Sequence, residues 1–152
     1  MKNHYVLPVI NILTLCIVAL AASSYFIHHT RFIGLVILLL GILCLVTLVP
    51  FKVKIRSVWA DIVFGAIDNG ILAVMAIFGG ELGGVMGAVI GGVVGNAVTD
   101  GIAGIFEGLI AEKARAARIS DKRTMLGSAV GKMSGCLLSA GVVLTISGFF
   151  ET

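Results

Sequence analysis

Long apolar runs separated by short charged loops constrain the fold of this chain more than any other feature. About 20 consecutive apolar residues are needed to cross the hydrocarbon core of a bilayer as a helix, and the first such run covers residues 5–27. Only 12% of the residues are charged, against roughly 25% in soluble domains. The pattern therefore predicts an all-α integral membrane protein with no soluble domain, so a water-soluble enzyme is excluded.

Five transmembrane helices are predicted, and together they form a single membrane domain over residues 1–152. Pro50 is expected to end the second helix, because proline lacks the N–H that a helix interior needs. The sequence GGEL at 79–82 predicts a tight turn, which makes the third and fourth helices a Gly-rich helical hairpin over residues 59–111. The helices are expected at about residues 5–27, 32–49, 59–79, 83–111 and 125–149.

Lysine and arginine are unequally distributed between the two ends of these helices. With five spans, the N-terminus and two loops share one side, and the other side carries only Arg31. Basic residues are enriched on the cytoplasmic side of membranes. We therefore expect a cytoplasmic N-terminus and an external C-terminus in a bacterial or archaeal inner membrane, with the lipid bilayer as partner and no nucleic acid. The basic side carries Lys2, Lys52, Lys54, Arg56, Lys113, Arg115, Arg118, Lys122 and Arg123.

Acidic and amide side chains interrupt the third and fourth predicted helices. Such groups are costly at bilayer depth and usually mark ion or proton pathways. Asp68 falls near the middle of the third helix, and Asp100 lies on the fourth. Asp61 lies near an interface, where its carboxylate can reach water. The residues predicted to bind a transported cation are Asp68, Asn69, Asn96, Asp100 and Glu107.

These oxygen ligands favour protons or hard divalent ions. Met75 adds a soft sulfur for a transition metal, although filling space in the core is the commoner role of methionine. The predicted metal ligands are Asp68, Asp100, Glu107 and Met75. No resident cofactor is expected, because the metal would be the substrate. The three cysteines, Cys16, Cys44 and Cys136, have no metal or redox spacing and are interpreted as small apolar residues.

Lys132 is the only basic residue placed inside a predicted span. An isolated ammonium group at that depth is costly, so it should pair with an acid. Counting along the helices puts Asp100 at a similar depth. Lys132 is therefore predicted to be a counter-ion that pairs with Asp100 until a cation or proton arrives.

Small residues recur at every fourth position along the last two predicted helices. Such glycine zippers let helix backbones approach closely in lipid. They predict that these helices contact each other or a second protomer, and hence a homodimer or higher homo-oligomer. The seams are Gly83, Gly87, Gly91 and Gly95 on the fourth helix, and Gly127, Gly131, Gly135 and Ser139 on the fifth.

Residues 60–117 resemble the first two membrane helices of the vacuolar iron transporter family, which imports iron and manganese. The resemblance lies in DIVFGAIDNGI at 61–71, a Gly-rich turn, and GNAVTDGIAGIFEGLIAEKA at 95–114. It implies a homodimer whose path is lined by Asp68, Asn69, Asp100 and Glu107.

This chain departs from the family pattern in several places. Asp68 and Asn69 exchange the usual order of amide and acid, and Glu107 lies one place from the usual acid. A short basic loop replaces the family's Glu-rich cytoplasmic helices, and two extra helices precede the matching region. The acids at bilayer depth favour a transporter of a cation. The resemblance implies divalent iron or manganese as that cation, and exchange for protons is expected. The alternative is a non-transporting assembly or partner subunit with a buried polar network.

Overall fold

The computed structural model describes residues 5–29, 32–116 and 124–150. It describes their side chains except those of residues 106–108, 110–111, 113–116 and 150. This part of the chain contains α-helices, turns and one 3₁₀ turn, and no strand. The α-helices are α1 (Val6–Phe26), α2 (Ile33–Val46), α3 (Trp59–Ala116) and α4 (Met125–Phe150), and the 3₁₀ turn is Ile55–Ser57.

Three of the helical stretches are long and apolar enough to cross a membrane, namely Val6–Phe26, Trp59–Ile105 and Met125–Phe149. α2 is shorter, with 14 residues, or about 21 Å at a rise of 1.5 Å per residue. It ends at Val46, before Pro50 is reached. The turns that follow are closed by bonds between residues three apart, from Leu48 N–H to the Leu45 carbonyl and from Val49 N–H to the Val46 carbonyl, which is 3₁₀ geometry. The all-α prediction is confirmed, and the apolar helices are compatible with an integral membrane protein.

α3 is not a straight helix, because its backbone leaves helical geometry at two glycines. Gly83 has φ −140° and ψ 19°, and Gly84 has φ 59° and ψ −142°. The second conformation is essentially restricted to glycine. The helical conformation thus continues through Leu82, and the break follows the 79–82 segment in which a turn was predicted.

Residues before this break contact residues after it. A Cβ atom added to Gly87 would collide with the carbonyl oxygen of Gly79, and one added to Gly91 would collide with that of Met75. Farther along, a Cβ on Gly95 would lie 3.0 Å from the Cβ of Met75. The glycine seam of the predicted fourth helix therefore packs against the residues that precede the break.

The chain divides into two compact units, of which the first contains Met1–Gly70 and Thr124–Thr152 and the second Ile71–Arg123. In the first unit, α4 contacts both α2 and the start of α3. A Cβ atom added to Gly135 of α4 would collide with the carbonyl oxygen of Ile62 in α3. One added to Gly141 would lie 2.7 Å from the backbone nitrogen of Leu38 in α2. The α4 seam predicted from the sequence thus faces the beginning of α3.

The core of the first unit lies where α1, the turn after α2, and the starts of α3 and α4 meet. Its buried members include Leu48 and Val130, which are 1% and 0% exposed. One hydrogen bond between side chains joins α1 to the turn, from Asn11 Nδ2 to Thr47 Oγ1 at 3.3 Å. α1 otherwise exposes most of its large apolar side chains, as a helix in contact with lipid would.

Candidate functional site

The polar residues of α3 fall into three groups, and each group has different surroundings. Asp61 is buried, Asp68 and Asn69 are half-buried, and Asp100 is exposed. The first three belong to the first compact unit and Asp100 to the second. That Asp68 and Asp100 both bind the transported cation therefore stays a prediction.

Asp61 lies in the first turn of α3 and is only 2% exposed. Its Oδ1 accepts a hydrogen bond of 2.9 Å from Ser128 Oγ, and a Cβ on Gly131 would lie 2.9 Å from the Asp61 Cβ. Ser128 is in the first turns of α4, so the carboxylate lies near the beginnings of two helices, where helix dipoles favour negative charge. Asp61 was expected to reach water at the interface, but it instead joins two helices.

Asp68 lies nine residues after Trp59, which is about 14 Å along the helix. Asn69 is the next residue. Asn69 Nδ2 is 3.5 Å from Asp68 Oδ2 and 2.7 Å from Cys136 Sγ on α4. The amide therefore bridges a carboxylate of α3 and a sulfur atom of α4.

Cys136 is the member of this group that the sequence did not reveal. It had been interpreted as a small apolar residue, because its neighbours in the sequence are apolar. The sequence carries no signal for this contact, because a residue next to Gly135 is turned by about 100° around the helix from the glycine seam. A Cβ on Gly65 of α3 would lie 3.1 Å from the Cys136 nitrogen and would collide with the carbonyl of Lys132.

Lys132 lies one helical turn before Cys136 on α4. Its Nζ is 4.3 Å from the centroid of the Phe64 ring, a distance at which a cation is attracted by the negative face of an aromatic ring. Asp100, its predicted partner, belongs to the other unit. The pairing of Lys132 with Asp100 therefore stays a prediction.

Asn96 and Asp100 form a second, smaller polar group one helical turn apart. Asn96 Nδ2 donates to Asp100 Oδ2 at 2.9 Å. Thr99, between them, is 4% exposed, and its hydroxyl donates to the carbonyl of Asn96 at 2.9 Å. Asn96 and Asp100 thus lie on one face of the helix, and their binding of a cation stays a prediction.

Two further predicted residues have different outcomes. Met75 lies in the glycine seam, with its Cγ 3.2 Å from a Cβ added to Gly95, which is a packing position. The side chain of Glu107 lies outside the described residues. Among the side chains that the structure describes, no group of three or more His, Cys, Asp and Glu residues is placed to hold a metal ion.

The Asp68–Asn69–Cys136 group thus supplies one carboxylate, one amide and one sulfur from two helices. The carboxylate can hold a proton, and all three groups offer atoms that can coordinate a cation. Comparisons of the chain with protein-family models, with curated proteins and with solved structures give no match.

Proposed function

We propose that this chain is a membrane transporter of a cation, with Asp68 as the ligand at mid-span. The observation that carries the proposal is the half-buried Asp68–Asn69 pair in the apolar stretch Trp59–Ile105, against Cys136 of α4. A carboxylate within a membrane span is costly and usually marks an ion or proton path. Divalent iron or manganese is the substrate that the family resemblance implies. A carboxylate binds a proton as well as a metal cation, so protons are the expected exchange partner.

In this proposal, Asn69 helps to hold the empty site. Its amide N–H group donates toward the Asp68 carboxylate and the Cys136 sulfur, which offsets part of their loss of hydration. When a cation arrives, rotation of the amide presents its oxygen atom in place of the N–H group. The site then offers oxygen ligands from two adjacent residues and sulfur from α4.

The proposed membrane arrangement has five spans. The glycine break at Gly83–Gly84 divides α3 into two spans that form a hairpin, and α2 crosses with the help of the turn residues that follow Val46. The N-terminus is cytoplasmic and the C-terminus external, as the distribution of basic residues favours. Two or more protomers assemble through helix faces that are exposed in the single chain.

One observation favours a different class of function, a non-transporting assembly subunit. Asp61 is buried and bonded to Ser128, so this chain already uses one acid to join helices. In addition, Gly101 and Gly104, beside the exposed Asp100, have no other atom within 4 Å of an added Cβ. Such an open face suits a helix of a partner protein.

The substitution Asp68→Ala separates the two functions. A transporter loses cation flux into liposomes while its yield and oligomer size in detergent stay near those of the native protein. Loss of assembly together with flux supports the subunit instead. Glu81→Gln is the matched control, because Glu81 is an exposed acid beside the break in the same helix, and its flux should be unchanged.

Cys136 provides a finer test of the same site. Cys136→Ser keeps an acceptor for the Asn69 amide, whereas Cys136→Ala removes it. We expect the alanine variant to lose more flux than the serine variant. Equal flux in both variants would mean that the contact with Asn69 does not contribute to transport.

A further inference from the structure

The segment that joins α2 to α3 contains a lysine in a backbone conformation that glycine usually occupies. Lys52 has φ 56°. Its N–H donates to the Val49 carbonyl at 2.9 Å, and the N–H of Val53 donates to the Leu48 carbonyl at 3.3 Å. These two bonds are those of a Schellman motif, in which the left-handed position is normally glycine because a side chain there is strained.

Both ends of this segment are fixed to the core. Val53 packs against the buried cluster that includes Leu48, and Val58 is 3% exposed. Between them, the N–H of Ser57 donates to the Lys54 carbonyl at 2.8 Å, and the Ser57 hydroxyl donates to the same oxygen at 2.7 Å. The segment is therefore a defined turn with a constant outer surface.

That outer surface is basic and partly apolar. Lys52, Lys54 and Arg56 are all exposed, and the apolar side chains of Ile55 and Trp59 are 52% and 63% exposed. The sequence has no acid from residue 47 to residue 60, and the first one after it, Asp61, is buried. Three cations next to an exposed tryptophan at the beginning of an apolar helix match the headgroup region of a bilayer, where tryptophan is enriched.

We propose that residues 52–59, here named the basic turn, bind the headgroups of anionic phospholipids. Lys52, Lys54 and Arg56 contact the lipid phosphates, while Ile55 and Trp59 enter the region between headgroups and acyl chains. This role explains why lysine occupies position 52. Glycine there would remove the backbone strain, but it would also remove one of the three charges. The proposal requires only that α3 is embedded in a membrane and is independent of cation transport.

Trp59 is the only tryptophan in the chain, so intrinsic tryptophan fluorescence reports on the basic turn alone. The full-length protein is placed in bilayers of one fixed mixture of phosphatidylglycerol and phosphatidylcholine, in which either the first or the second lipid carries quenching bromine atoms. Surface charge is then the same in both samples. We expect brominated phosphatidylglycerol to quench more strongly, with a local enrichment of up to about fivefold for each basic side chain.

The double variant Lys54→Gln and Arg56→Gln should lose most of this preference. The matched control, Lys113→Gln with Arg115→Gln, removes two charges from the other compact unit and should keep it. Equal quenching by the two lipids in the native protein would overturn the proposal. So would a double variant whose preference equals that of the native protein.

Lys52→Gly provides a test that does not depend on the folding of the double variant. Glycine fits the left-handed position, so the midpoint of thermal unfolding should rise while the preference for brominated phosphatidylglycerol falls. A purely structural lysine would give no change in lipid preference. The proposal is contradicted if brominated phosphatidylglycerol is preferred as strongly in the Lys52→Gly variant as in the native protein.

Discussion

At the scale of single residues, Asp61 and Asp68 differ in their contacts and should differ in their roles. Asp61 is buried at the interface of α3 and α4, where Ser128 donates to it. Asp68 is half-buried and shares Asn69 with Cys136. The first is expected to contribute mainly to stability and the second mainly to function.

Removal of either partner of the Asp61–Ser128 bond should destabilise the protein. We expect Asp61→Ala to lower the free energy of unfolding by about 1–3 kcal/mol, because the half-buried Ser128 hydroxyl loses its acceptor. Unfolding in detergent, followed by circular dichroism, measures the change. In a double-mutant cycle with Ser128→Ala, the coupling should be about 1 kcal/mol. Effects that simply add would show that the two side chains do not interact.

At the scale of helices, glycine positions separate close contacts from open faces. A Cβ on Gly91 would collide with the Met75 carbonyl, whereas no described residue outside the adjoining helical turn places an atom within 4 Å of a Cβ on Gly104. Both glycines belong to the same part of α3, so they form a matched pair.

Alanine at these two positions should therefore have opposite effects on stability. Gly91→Ala is expected to destabilise by about 1–3 kcal/mol, because the backbone must move to admit a methyl group. Gly104→Ala should stabilise by up to about 1 kcal/mol through its higher helix propensity. Thermal unfolding of the purified variants measures both. A Gly91→Ala variant as stable as the native protein would exclude the close contact.

The sequence predicted some helix boundaries well and others poorly, for identifiable reasons. The ends of α1 and α4 lie within a residue or two of those predicted, because each apolar run stops at polar residues. The break in α3 is less predictable, since Gly79, Gly80, Gly83 and Gly84 are all candidates. Of these four, only Gly84 has positive φ. Which glycine forms the break depends on how the flanking segments pack.

The candidate site was predictable in its acids and amides but not in its neighbours. Asp68 and Asn69 stand out because polar side chains are rare in apolar helices. The contact with Cys136 depends on which face of α4 meets α3, which counting along the chain does not reveal. The burial of Asp61 was missed for the same reason, since depth in the membrane says nothing about the neighbouring helix.

At the scale of the whole molecule, the sequence predicts that Lys132 pairs with Asp100, and these two residues belong to different compact units. If the two charges pair, exchanging them by Asp100→Lys with Lys132→Asp should restore folding relative to either single change. The yield of monodisperse protein in detergent measures the effect. Conversely, a double exchange no more stable than the worse single variant would exclude the pair, and Lys132 would instead extend its ammonium group toward the interface.

The central claim is that this chain alone carries a cation across a membrane by way of Asp68. The most direct measurement is the uptake of Mn²⁺ into liposomes that contain the purified protein and an internal metal-sensitive dye. We expect saturable uptake above that of protein-free liposomes, abolished by Asp68→Asn and retained by Glu81→Gln. Uptake by the native protein that equals the protein-free rate for Mn²⁺, Fe²⁺ and protons alike would contradict the claim.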